Sequence, residues 1–151
     1  MARTFSIHSD HIASFLGTAF LNADRVVIVS PWVSDITVQF PETDQLSHRE
    51  LQLSEAVRSF DVDVWFIVDP EQDDHNRLRR SALLPRVSDV AHIRAVENLH
   101  AKAIVTDQVL YQGSANVTYR GLNVNIELCD IRENEHGSAK DFLEERLQIQ
   151  F

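Results

Sequence analysis

Two dense runs of β-branched and aliphatic residues, Arg25 to Ser30 and Val62 to Val68, each follow a stretch with helical apolar spacing, and this alternation most constrains the fold. Ahead of the first run, Ser9 is placed to cap a helix. Ile12, Phe15, Leu16, Ala19 and Phe20 then fall at the i, i+3, i+4, i+7, i+8 spacing of one buried stripe, which predicts a helix over residues 9–22. Ahead of the second run, Leu53, Ala56, Val57 and Phe60 restore that spacing. Pro31 ends the first strand and leaves Ser30, Pro31 and Trp32 at its tip. Residues 37–47, with Pro41 and several polar side chains, read as an exposed loop, so the opening of the chain reads helix, strand, loop, helix, strand.

Farther on, Asp69 to Asn76 is acidic and turn-like, and Arg77 to Leu84 reads as a short arginine-rich helix. Strands are expected at His92 to Val96, Ala101 to Thr106, Val109 to Gln112 and Ile126 to Arg132, with a turn at Asp107 and Gln108. Ser138, with Asp141 three residues later, resembles a capping box that opens a final helix over Phe142, Leu143 and Leu147. Helices and strands interleave without repeat, low-complexity tract or linker. The expected class is therefore α/β: a layered, mostly parallel or mixed sheet flanked by helices. A length of 151 residues with 44% apolar content fits one domain over residues 1–151.

Composition narrows the chemistry. With 14 basic against 23 acidic residues the formal charge is −9, which argues against gripping a polyanion over the whole surface, so any phosphate site must be local. A single cysteine, Cys129, rules out an intrachain disulfide and multi-cysteine metal centres, and its apolar strand suits a packed small hydrophobe. Four dispersed glycines leave no glycine-rich nucleotide cradle. No secretory apolar region or membrane-length run is present, so the chain reads as soluble and cytoplasmic. His8 with His11, and Asp73 and Asp74 with His75, have a spacing that also occurs among metal ligands, but spacing alone is poor support; no metal or cofactor is expected. Lysine is scarce, with only Lys102 and Lys140 beside twelve arginines, so each lysine calls for a reason.

Lys102 has one. In the segment His100-Ala-Lys102, residues two apart on a strand project to the same face about 6.6 Å apart, setting an imidazole beside a fixed cation. Ala101, Ala103 and Val105 take the opposite face and can pack inward. Asp107 follows, then Gly113-Ser114-Ala-Asn116, and downstream Asn125-Ile-Glu127.

This pattern resembles the signature of the phospholipase D superfamily: His-x-Lys, four residues, Asp, then a Gly-Ser-x-Asn turn, with a later Asn-x-Glu. Five residues separate Asp107 from Gly113 where the family usually has six, so the intervening turn is expected to be one residue tighter. The helix, the Ser-Pro-Trp strand tip and the terminal helix extend the resemblance over nearly the whole chain. Only one signature copy is present. The resemblance implies that two copies build one active centre, and that small single-copy members, such as the bacterial endonuclease-like branch, obtain the second by forming a symmetric homodimer.

The implied mechanism is metal-free. One His100 attacks phosphorus, the second protonates the leaving oxygen, and water then hydrolyses the phosphohistidine. Lys102 and Asn116 from both subunits stabilise the phosphoryl charge. Glu127 is expected to orient His100, and Ser114 to bond either the phosphate or the His–Glu pair. Asp107 is expected to fix the strand turn through backbone hydrogen bonds or an ion pair, with Gly113 as part of the structural motif. Trp32 at the strand tip, and Arg77, Arg79 and Arg80 on the arginine-rich segment, are weaker candidates for lining the cleft or tracking a nucleic-acid backbone.

The substrate is less determined than the reaction. A nuclease acting on DNA or RNA is favoured, because no basic amphipathic helix suited to a lipid surface is present. A phospholipid-cleaving enzyme is the first alternative. An accessory subunit of a phage-defence or DNA-processing assembly, with protein partners, is the second.

Overall fold

The computed structural model describes residues 4–41, 50–71 and 82–150. Its elements are β1 (Thr4–Ile7), α1 (Ile12–Asn22), β2 (Arg25–Val29), β3 (Thr37–Gln39), β4 (Glu50–Gln52), α2 (Leu53–Ser59), β5 (Asp63–Val68), α3 (Leu84–Val87), β6 (His92–Ala95), β7 (Ala103–Val105), β8 (Val109–Gly113), α4 (Tyr119–Asn123), β9 (Cys129–Glu133) and α5 (Ala139–Arg146). Among the described residues a seven-stranded sheet runs β1-β9-β8-β7-β2-β5-β6. Strands β2, β5 and β6 are parallel, and β2–β7, β7–β8, β8–β9 and β1–β9 pair antiparallel. The sheet is mixed, as one of the two expected forms.

The apolar runs are continuous because both faces of the central strands are covered. On β2, Val26 and Ile28 join the core under α1 and α2 with Phe66, Ile104 and Tyr111. Val27 and Val29 face the other way, onto Ala103, Val105, Leu110, Phe142 and Leu143 beside α5. Burying each such side chain stabilises the fold by about 1.5–3 kcal/mol. The predicted stripe of α1 is buried at Ile12, Leu16, Ala19 and Phe20, with Phe15 packed at its margin. Ser138 accepts from Asp141 N at 3.0 Å, so the predicted cap of α5 is present.

Several expectations are corrected. Ser9 does not cap α1; it sits in a 3-10 turn, Ser9–His11, and its hydroxyl donates to Leu122 O at 3.2 Å, tying the chain start to α4. The region read as a loop from residue 37 begins with β3, which pairs with β4 in a separate two-stranded sheet. That sheet lies so close on α1 that a Cβ at Gly17 would fall 1.9 Å from Gln39 O. Strand β1 is absent from the sequence reading, because an edge strand with three exposed residues carries no apolar signature. The expected strand from Ile126 begins at Cys129, leaving 126–128 outside the ladder. Residues 77–81 of the expected arginine-rich helix, including Arg77, Arg79 and Arg80, lie outside the described residues, as do Asp73, Asp74 and His75.

Candidate active site

The β7–β8 hairpin positions the signature. Thr106 N donates to Val109 O at 2.9 Å, closing a two-residue turn at Asp107 and Gln108. The Thr106 hydroxyl holds it, accepting from Val109 N at 3.0 Å and donating to Val109 O at 2.9 Å. The register then runs Val105↔Leu110, Ile104↔Tyr111 and Ala103↔Gln112, and Gly113 N donates to Lys102 O at 3.2 Å. The short turn therefore brings Gly113 opposite Lys102 without a bulge. The backbone hydrogen bond expected of Asp107 is present but reaches another element: its carboxylate accepts from Ala139 N at 2.8 Å, fastening the hairpin to the first turn of α5.

His100 and Lys102 lie just before β7 proper. His100 is exposed, and its ring makes no hydrogen bond to a described residue. Lys102 is half-buried, and its ammonium donates to His100 O at 3.0 Å, which holds the cation against the backbone of the histidine.

The Gly-Ser-Ala-Asn turn is fixed from three sides. A Cβ at Gly113 would lie 2.3 Å from Leu128 O and 3.0 Å from Cys129 Cα, so only glycine lets β8 approach the 127–129 segment this closely. Across that approach Ser114 N donates to Leu128 O, and Leu128 N donates to Ser114 Oγ, each at 2.9 Å. Ser114 Oγ in turn donates to Glu127 Oε2 at 2.6 Å. Beneath the turn, the wholly buried Tyr111 phenol accepts from Ala115 N at 3.1 Å and donates to Ala115 O at 3.0 Å. Burial pushes the Tyr111 phenol far above the usual tyrosine range, so it stays protonated and able to donate. On the third side the buried Ser30 hydroxyl accepts from Val117 N at 3.0 Å and donates to Trp32 O at 2.7 Å, with Asn116 Oδ1 at 3.3 Å. The tip of β2 thus sets where Asn116 stands. Trp32 is half-buried at the same tip.

The structure therefore joins Ser114 to Glu127, Lys102 to the His100 carbonyl, and Asn116 to Ser30. It does not join Glu127 to His100: in the single chain Oε2 takes the Ser114 hydroxyl, which sits on a backbone already clamped to Leu128. Of the two roles left open for Ser114, the observed bond is to the glutamate. Lys102, Gly113 and Ser114 share a cleft of about 400 Å³ with Gln112, Asp130 and Arg146. Sequence reasoning misses Tyr111, Thr106 and Ser30 as supports of the site. Only the inward parity of Tyr111 on its strand hints at a role. Cys129 is buried with Sγ 3.9 Å from the Tyr111 oxygen, and burial raises its thiol pKa, as befits a packed residue. Among the described residues no group of three or more histidine, cysteine, aspartate or glutamate side chains is arranged to hold a metal; His8 and His11 meet edge to face.

Residues 34–147 match the family described as cardiolipin synthase, PLD-like domain. No curated protein is significantly similar in sequence. Among the solved structures that share the fold, two serve for comparison. One is Nuc from Salmonella typhimurium, a phospholipase D family member, with 20% identity and a TM-score of 0.63 over 98% of this chain and 92% of that one. The other is NucT from Helicobacter pylori, with 16% identity and a TM-score of 0.62 over 100% of both chains. At these identities the likeness speaks for the fold, whereas the family match takes in every signature position from His100 to Glu127. The chain belongs to the phospholipase D superfamily.

Proposed function

We propose that the protein is a phosphodiesterase that cleaves nucleic acid through a phosphohistidine on His100, in an active centre completed by a second copy of the chain. The observation that carries this reading is the surface beside the site. Immediately flanking Glu127, Ile126 is fully exposed at 103% and Leu128 at 84%, and nearby Val124 and Tyr119 are also exposed. Apolar side chains grouped in this way mark a contact surface. A two-fold contact over 124–128 covers them and brings a second His100 to the first, which the chemistry requires because the signature occurs once.

In that centre one His100 nitrogen attacks phosphorus while the P–O bond to the leaving group breaks, and the partner's His100 gives its proton to the departing oxygen. The same partner imidazole then takes a proton from water as the hydroxide displaces the histidine, restoring both rings. Lys102 and Asn116 meet the charge on the phosphoryl oxygens. Glu127 Oε1 remains available to accept from a His100 N–H in the assembled site, with Ser114 holding the carboxylate in place through Oε2. None of these steps calls for a metal.

The single signature copy and the fold shared with the Salmonella and Helicobacter proteins favour the endonuclease-like branch. The description of the matched family favours a second reading, a phospholipid substrate. An assay in chelator separates the readings: wild type and His100→Ala are compared on single- and double-stranded DNA, RNA, phospholipid vesicles and a bis-aryl phosphodiester. Metal-independent cleavage of DNA or RNA, lost in His100→Ala, is the expected result. Headgroup release without nucleic-acid cleavage transfers the reading to the lipid. Binding without turnover on any substrate leaves an accessory role within a larger assembly.

A further inference from the structure

The cleft that holds Lys102 and Ser114 has a second cation at its wall. Arg146, in the last turn of α5, lines it together with Leu128, Phe142 and Leu147, and the side chain is exposed. Three arginines elsewhere are engaged by carboxylates: Arg25 pairs with Asp63, Arg58 with Asp89 and Arg86 with Asp35. Arg146 makes no hydrogen bond or ion pair to any described residue. The one carboxylate among the described residues of the cleft, Asp130, accepts instead from Ser6 Oγ at 2.9 Å.

We propose that Arg146 is a substrate-positioning residue that binds the phosphate next to the scissile one on a nucleic-acid strand. The inference rests on the nuclease reading and deepens it. Three features carry it. The cleft shares residues with the signature, because Lys102, Gly113 and Ser114 line it together with Arg146. Its volume of about 400 Å³ lies at the small end of the roughly 300–1,000 Å³ that holds one small-molecule unit, which suits one nucleotide and not a duplex. Its chemistry is split between an apolar floor of Ala101, Phe142 and Leu147 and two cations, which matches a sugar and base carrying a flanking phosphate. In a chain of net charge −9 a guanidinium with no carboxylate partner among the described residues, in one cleft with Lys102, supplies the local attraction that the overall charge denies.

A cation at a helix C-terminus also complements the helix dipole. The test therefore separates substrate contact from helix stability. The kcat/KM of wild type, Arg146→Ala and Arg146→Lys is measured on a short single-stranded oligonucleotide and on a bis-aryl phosphodiester, which has only one phosphate. Oligonucleotide binding to His100→Ala, with and without Arg146→Ala, is titrated against salt. The ratio of oligonucleotide to reporter efficiency should fall about 5- to 30-fold in Arg146→Ala, mainly through KM, with partial recovery in Arg146→Lys. The log–log salt slope of binding should shrink by about 0.7, the value for one phosphate neutralised on a single strand. Equal losses on both substrates, or an unchanged salt slope, would overturn the assignment. If wild type cleaves no oligonucleotide yet the slope changes, the phosphate contact stands and the nuclease reading falls.

Discussion

Replacing Tyr111 with phenylalanine isolates the bond network that shapes the Gly-Ser-Ala-Asn turn. The ring is wholly buried and phenylalanine fills nearly the same volume, so the substitution removes the oxygen and keeps the packing. What it abandons is both polar groups of Ala115, an amide N–H at 3.1 Å and a carbonyl at 3.0 Å, on a residue that is 0% exposed. A buried donor or acceptor left without a partner costs about 1–3 kcal/mol, and carbonyls tolerate it better than N–H groups, so the sum is about 2–4 kcal/mol. With a urea dependence of about 2 kcal/mol per molar for a chain of this size, the unfolding midpoint should drop by about 1–2 M. The measurement is equilibrium urea unfolding at one fixed protein concentration, since association adds to apparent stability. Turnover should fall as well, because Ala115 sits between Ser114 and Asn116 and its displacement moves both. A midpoint shift under about 0.3 M with unchanged turnover would refute the reasoning. It would mean that the bonds from Ser114 to Leu128 and from Val117 to Ser30 already hold the turn.

Other outcomes follow from the same geometry. His100→Ala should lower phosphodiester cleavage at least about 10³-fold, and Lys102→Ala about 10²- to 10³-fold, with unfolding midpoints near wild type because neither side chain is in the core. Gly113→Ala should destabilise by about 2–4 kcal/mol in the same urea assay, since the new Cβ lies 2.3 Å from Leu128 O and parts two hydrogen bonds as well as straining the packing. Aspartate at Ile126 or Leu128 should shift sedimentation toward monomer and remove activity together; a fully active monomer would sink the half-site arrangement. Asp63 loses some of its acidity to burial, but its bonds from Arg25 and Trp65 and the nearby His92 outweigh this and hold its pKa below the usual aspartate range. Its stabilisation is thus complete above the unfolded value and lost as pH falls through the lower folded one. Asp63→Asn should flatten stability against pH below about pH 4, by under about 1 kcal/mol because the pair is partly exposed.

Local signals are legible where one residue type has one job. The stripe of α1, the two central strands, the Ser138 cap and the short Asp107–Gln108 turn follow from apolar period, β-branching and turn chemistry, all of which act within a few residues. Elements whose stability comes from a distant partner are not. Strand β1 exists because β9 is beside it, and β3 and β4 are three-residue strands too short to carry an apolar period, each held by the other. Ser9 could equally have capped a helix, but Leu122 O lies within reach of its hydroxyl.

The amino-acid order alone determined the signature: His100, a neighbouring Lys102, a Gly-Ser-x-Asn turn and a later Glu127, present once. Only the tertiary structure decided who holds whom. Glu127 is bound to Ser114 and not to His100, Asp107 serves α5, Tyr111 and Ser30 carry the turn, and Ile126 and Leu128 face outward. The reason is physical: a hydrogen bond forms with whichever partner the fold brings within about 3 Å, and no spacing along the chain encodes that distance across the sheet.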